Sequence, residues 1–351
     1  MTRKSDIRAE ADRLRDLIGA RGAEVFETEV LQPAGALLDL YGEDIRARAF
    51  VTQDPVRGEM MLRPDFTLPL VQRHMAEGRG PARYVYAGEV FRRQEEHPER
   101  AAEYLQVGYE LFSGSALAEA DAEVFATFAQ ILAPLGLRAA MGDIGLLGAA
   151  IAGLSTSGAR KAALMHHLWR PHRFRALLGR YGRPGEIRPR RETVGAEIGL
   201  RSLADVETAL AARAADAATP PLGADEIAGV DELLAVRGKA PAALARLRTL
   251  AGGMPSIGPA VGGLAARFEA LAGRGVNLAD LDFEASYGRT TLEYYDGFVF
   301  GFYAGARPDL PPVATGGRYD ALTHAIGGGE GVPAVGGVIR PGLTLRLARA
   351  E

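Results

Sequence analysis

The chain of 351 residues contains no cysteine, which excludes disulfides, thiolate nucleophiles and cysteine-based zinc sites and accords with a reducing cytoplasm. It lacks any uninterrupted apolar run long enough to span a bilayer. Its first ten residues, Met1 to Glu10, are charged and lack the apolar core of a signal peptide. It also lacks a surplus of one charge: 41 Lys+Arg against 44 Asp+Glu leave −3, so no global field draws it to nucleic acid or an anionic membrane. No G-x-G-x-x-G fingerprint follows an early strand, and no internal repeat or low-complexity stretch occurs. A soluble cytoplasmic protein is therefore expected. What is present, 47% hydrophobic and 24% charged residues, is ordinary globular usage, and the length suits two compact units or one domain with a sizeable insertion.

Periodicity gives the element order. Ser5 can cap a helix carrying Ile7, Ala11, Leu14 and Ile18 at helical spacing. Glu24 to Leu31 alternates as a strand ending at Pro33, and a loop and short helix run through Tyr41. Glu59 to Pro64 reads as a short strand and Leu68 to Met75 as helix. Tyr84 to Arg92 and Glu103 to Phe112 form a long-looped antiparallel pair, and Val124, Phe128, Ile131 and Leu135 mark an amphipathic helix. From about Gly142 to Gly253 the character turns to Ala- and Leu-rich helices, with Gly252 to Gly258 as a return linker. Strand sequence resumes at Leu292 to Tyr303, then a Gly-rich turn at Ala314 to Gly317, a helix from Tyr319, and a last strand and helix after Gly331. The expected class is α+β, an antiparallel sheet flanked by helices, with residues 1–141 and 254–351 as the core and 142–253 as a mostly helical insertion.

The period of two along Tyr104 to Phe112 puts Tyr104, Gln106, Gly108, Glu110 and Phe112 on one face and Leu105, Val107, Tyr109 and Leu111 on the other. Gly108 would leave space between an amide and a carboxylate for a small polar ligand, and a plain solvent-facing surface is the competing reading. Glu293, Tyr295, Gly297, Val299 and Gly301 share a face in the same way, where glycines easing packing are the better account if taken alone. Arg92 and Arg93 stand where a strand enters a charged loop and could clamp a carboxylate or phosphate, a solvated turn being the usual reading of such residues. His166, His167 and His172 have no acidic partner at ligand spacing, so no metal site is expected, nor any cofactor.

Together these segments resemble the class II histidyl-tRNA synthetase catalytic core, in order and over nearly the whole chain. Arg63-Pro64-Asp65-Phe66-Thr67 is similar to the family's Arg-Pro-Glu-Gly-Thr, whose carboxylate and threonine hold the histidine amino group. Tyr86 to Arg92 resembles motif 2, with Arg92 at the position that contacts the activated carboxyl group. Gln106-Val107-Gly108-Tyr109-Glu110 matches the Gln-x-Gly-x-Glu that grips histidine. Leu292 to Phe300 and Gly316-Gly317-Arg318-Tyr319-Asp320 resemble the two histidine-specific motifs. The resemblance implies histidine held by Asp65, Thr67, Arg92, Gln106, Glu110 and Tyr295, with Tyr294 and Tyr319 lining the ring side.

Three departures bear on activity. Thr290 stands where a synthetase has an arginine, with Arg289 displaced by one residue and thus onto the opposite strand face. Gly336 to Leu345 resembles motif 3 but puts Thr344 and Leu345 where glutamate and the ATP-clamping arginine belong. The chain ends at Glu351, so no anticodon-binding domain and no specific tRNA binding are expected. This combination resembles the regulatory-subunit family of ATP phosphoribosyltransferase, non-catalytic paralogues of the synthetase. That likeness implies a homodimeric core in a hetero-oligomer with a short catalytic subunit, at the first step of histidine biosynthesis, under feedback by L-histidine. The alternatives are a truncated, active synthetase-like enzyme and a purely structural activator.

Overall fold

The computed structural model describes residues 3–35, 49–78, 80–94, 100–185, 202–289 and 295–349. Nine strands form one sheet in the order β1 (Glu24–Val25), β5 (Ala82–Phe91), β6 (Glu103–Phe112), β12 (Ala334–Ile339), β11 (Ala314–Arg318), β10 (Phe298–Tyr303), β7 (Arg138–Asp143), β9 (Asp282–Glu284) and β8 (Arg237–Lys239). The sheet is antiparallel except that β1 runs parallel to β5 and β7 parallel to β9. A smaller antiparallel sheet joins β2 (Leu31–Pro33), β4 (Gly58–Leu62) and β3 (Val51–Asp54). The α+β class with a central sheet flanked by helices is what the residue pattern predicts.

Two helices cover opposite faces of β6. The helix α2 (Thr67–Glu77) ends at Gly78, whose φ of 59° supplies the left-handed turn that closes the helix. Its His74 stacks on Phe112 with ring centroids 3.8 Å apart. On the other face, Tyr109 donates its hydroxyl to Glu123 at 2.6 Å, on α3 (Leu117–Leu132). Phe125 of α3 meets Phe298, Phe300 and Phe302 of β10 at centroid separations of 5.1–6.4 Å. The alternation in β6 thus turns Val107, Tyr109 and Leu111 toward α3 and Gln106, Glu110 and Phe112 toward the side of α2. The α2 side is buried, with Gln106 0% and Glu110 1% exposed, which rules out the solvent-facing reading.

An alternating chain of charges pins the helices behind the sheet. Asp121 of α3 accepts from Arg267 at 2.7 Å and from Arg318 at 2.6 Å, and these arginines also bond Asp143 at 2.7 Å and Asp320 at 3.0 Å. Each buried charge in the chain has an opposite neighbour, the condition under which such groups are tolerated in a low-dielectric interior. Arg267 lies on the helix α10 (Gly258–Gly273), where it also stacks 4.8 Å over the Phe298 ring.

Several predicted elements need correction. The expected strand Glu24 to Leu31 resolves into β1 and β2, which belong to different sheets. The expected linker Gly252 to Gly258 is a short 3-10 turn, Pro255–Ile257, between α9 (Ala240–Gly253) and α10. The alternation assigned to Leu292 to Tyr303 is strand only from Phe298 onward, while residues 290–294 lie outside those described. Asp296 leaves the strand pattern because its carboxylate turns to accept the Asp320 amide at 3.2 Å at the start of α11 (Asp320–Ile326). The helix expected through Tyr41 also falls outside the described residues beyond 35. Within 144–234 the described elements are helices, and β8 then returns the chain to the sheet edge beside β9.

Candidate functional site

Glu110 is the centre of the polar face. Its Oε1 accepts hydroxyl hydrogens from Thr67 and Tyr86, each at 3.0 Å, and its Oε2 accepts from Tyr319 at 2.7 Å. Register explains how the groups meet. Glu110 pairs with Gly336 and Gly336 with Gly317, so the carboxylate lies flat across the neighbouring strand. A Cβ on Gly336 would stand 1.5 Å from Oε2. Burial pushes the Glu110 carboxyl up to about 7 against the pull of its three hydroxyl donors, and the nearby Asp65 charge adds to the rise.

Gly108 has a different use from the one its place in the pattern suggests. Tyr86 is its register partner on β5, and a Cβ at Gly108 would come within 1.9 Å of the Tyr86 ring. The gap houses that ring, which crosses to Glu110 and stacks on Phe66 at 4.3 Å. The expected ligand floor at Gly108 is therefore a tyrosine slot. Gly301 and Gly297 ease packing, as their pattern taken alone suggests: the missing side chain of Gly301 accommodates the Tyr287 hydroxyl, and Gly297 faces the Arg318 stem. Tyr295, 5% exposed, lies against Gly317, where a Cβ would meet its ring at 2.7 Å.

Gln106 lies on the same face of β6, opposite Gly88 of β5. Its side-chain amide is buried, and neither Oε1 nor Nε2 has a hydrogen-bond partner among the described residues. A buried amide without partners costs about 1–3 kcal/mol, so this side chain is set up for a polar ligand rather than for the fold.

The cationic side is made by Arg92, just beyond the end of β5. Its Nε donates to the Pro64 carbonyl at 2.7 Å, and its Nη2 stands 4.0 Å from Asp65 Oδ2. Burial raises the Asp65 carboxyl above the usual carboxylate range, while Arg92 and the amides of Leu68 and Thr67 oppose that rise. Arg340 approaches the same region, beside the Tyr104 hydroxyl. Burial, with the Arg92 charge adding to it, holds Arg340 below its ordinary value, and its guanidinium also bonds the Pro312 carbonyl. Of the eight residues predicted from sequence, Asp65, Thr67, Arg92, Gln106, Glu110, Tyr295 and Tyr319 fall on this one face, and Tyr294 lies outside the described residues. Tyr86 and Arg340 were not anticipated. Pairing Tyr86 with Gly108 across the predicted hairpin would have exposed the first.

The departures also have places. Arg289 is 6% exposed and points into the helical segment, donating to the Leu168 carbonyl at 2.8 Å and stacking 4.8 Å over Phe174. Thr344, on α12 (Pro341–Ala348), turns to α1 (Lys4–Gly19), where its hydroxyl donates to Glu10 at 2.9 Å. Thr290 lies outside the described residues.

A family model described as histidyl-tRNA synthetase matches residues 3–341. Among curated proteins, the ATP phosphoribosyltransferase regulatory subunits of Brucella canis and Brucella ovis are each 29% identical over 352 residues, covering 92% of this chain and 93% of theirs. Among solved structures, an ATP phosphoribosyltransferase regulatory subunit/histidyl-tRNA synthetase from Bacillus halodurans is similar with a TM-score of 0.71 at 21% identity, covering 98% of this chain and 79% of that one. Histidyl-tRNA synthetase from Nostoc sp. PCC 7120 gives a TM-score of 0.67 at 17% identity, covering 98% of this chain and 72% of that one. At those identities the structural likeness carries the fold alone.

Proposed function

The chain belongs to the histidyl-tRNA synthetase family, and on that premise we propose that it is a regulatory subunit of ATP phosphoribosyltransferase that holds L-histidine on the sheet face and does not itself catalyse. The observation that carries the ligand reading is Gln106, a buried amide with both polar atoms unpartnered between Glu110 and the Arg92 end of the site. Histidine answers the charges around it. Its carboxylate suits Arg92, its ammonium suits Asp65, and its imidazole can exchange hydrogen bonds with Gln106 and Glu110.

Loss of adenylation is supported by the same geometry. A synthetase needs fixed positive charge where carboxylate and phosphate react. Arg289 is anchored to the Leu168 carbonyl on the helical side, and Thr344 is engaged by Glu10. The names of the Brucella relatives support the regulatory role. A short catalytic subunit as partner, a homodimeric core within a hetero-oligomer, feedback by histidine, a cytoplasmic location and a helical insertion at 142–253 complete the proposal.

Calorimetric titration of the chain with L-histidine tests the ligand. Saturable binding that weakens at least about tenfold in Gln106→Ala supports it, since a lost hydrogen bond to a charged group is of that size. No heat with histidine, or heat unchanged in both Gln106→Ala and Glu110→Ala, would overturn it. Histidine-dependent ATP–pyrophosphate exchange by the chain alone would overturn the non-catalytic part.

A further inference from the structure

A second concavity of about 530 Å³ opens between α6 (Pro171–Tyr181), the end of α8 (Ala224–Leu234) and the turn after β9, lined by residues that include Phe174, Arg175, Leu178, Asp231, Leu234 and Arg289. No residue of the sheet-face site lines it. Its volume falls within the usual range for small-molecule sites. We propose that this cleft binds an oxyanion carried on a small, partly apolar molecule, with Arg289 as the residue that holds the anion.

Arg289 is built for such a role. The guanidinium is fixed from two sides, by the bond from Nε to the Leu168 carbonyl and by the Phe174 ring beneath it. Its Nη2 is buried and has no hydrogen-bond partner among the described residues. A guanidinium with one N–H group unspent and its plane already held can bond an incoming oxyanion without losing side-chain freedom.

The other charges in the cleft are largely engaged. Asp231 stands 3.8 Å from Arg175, and Glu284 accepts the Ser286 hydroxyl. Burial, with Arg175 adding like charge, holds Arg289 down to about 10, still above neutrality, so the group is cationic where an anion would meet it. Phe174, Leu178 and Leu234 supply an apolar wall for the body of the ligand. This site is independent of the sheet-face reading, because none of its residues is shared.

Sodium phosphate, acetate and benzoate are titrated into the full chain by calorimetry, with sodium chloride at equal ionic strength as the reference. Saturable binding of phosphate, or of the carboxylates with benzoate the tighter, supports the site, and the stronger arm identifies a phosphoryl or a carboxylate source. Arg289→Lys keeps the charge but loses the fixed fork, and should weaken binding about tenfold. Arg248→Gln, at an exposed side chain outside the cleft, should leave binding within about threefold. Crystals of the unaltered chain soaked in whichever of these anions binds more tightly give a reading that does not depend on the variant folding, with the anion expected at Arg289 Nη2. Heats no greater than those of chloride, binding unchanged in a folded Arg289→Lys, or an ion absent from Arg289 in the soaked crystal would overturn the assignment.

Discussion

Tyr319 donates its hydroxyl to Glu110 Oε2 at 2.7 Å across 209 positions of sequence, tying β6 to the start of α11 at the middle of the candidate site. Removing that donor leaves a buried carboxylate with less support. Tyr319→Phe should cost about 1–3 kcal/mol of stability near neutral pH, read from the urea midpoint, and should weaken histidine binding. An unchanged midpoint and affinity would mean that the bond contributes nothing.

Gln106 predicts the opposite balance. Replacing an unsatisfied buried amide by an apolar group of similar volume relieves its desolvation cost, so Gln106→Leu should unfold at equal or higher urea concentration, by up to about 2 kcal/mol, while losing histidine affinity. Chemical denaturation and calorimetry on the same sample check both halves. A clear loss of stability would show that the amide supports the fold.

The raised Glu110 carboxyl, at about 7, sets a pH dependence whose sign is determined. Its folded value lies above the unfolded value of 4.5, so the unfolded state gives up its proton first as pH rises. The contribution to stability is greatest below pH 4.5 and is lost progressively up to about pH 7. Glu110→Gln should flatten the stability–pH curve in that window, by an amount on the order of a few kcal/mol. Identical slopes in the two proteins would contradict the assignment.

Arg318 holds Asp121 at 2.6 Å within the buried charge chain. Arg318→Met leaves Asp121 with Arg267 alone and should destabilise by about 3–5 kcal/mol, measured by denaturant unfolding. A cost under about 1 kcal/mol would show that the chain contributes little to the fold.

Much of this was legible in the residues. The β5–β6 hairpin and the face shared by Gln106 and Glu110 follow from a period of two, which the pairing of Tyr84 with Glu110 and Gly88 with Gln106 realises. The role of Gly108 was not legible, because a missing side chain reads as space until the register shows which neighbour fills it. The three-residue strands β8 and β9 carry too few positions for any period. Asp296 was missed as a helix-capping side chain because its partners, the amides of Asp320 and Ala321, lie more than twenty residues away. The place of Arg289 was not legible from strand alternation, because residues 285–289 form a turn after β9 and not a strand, and its bond to Leu168 gives the destination.

The most direct test of the account is phosphoribosyl transfer by the catalytic subunit, assayed with and without this chain while L-histidine is titrated. The account predicts activity that depends on the chain, inhibition by histidine, and an inhibition midpoint at least about tenfold higher with Gln106→Leu. Full activity of the catalytic subunit alone, or inhibition by histidine that is the same with the unaltered chain and with Gln106→Leu, would contradict it.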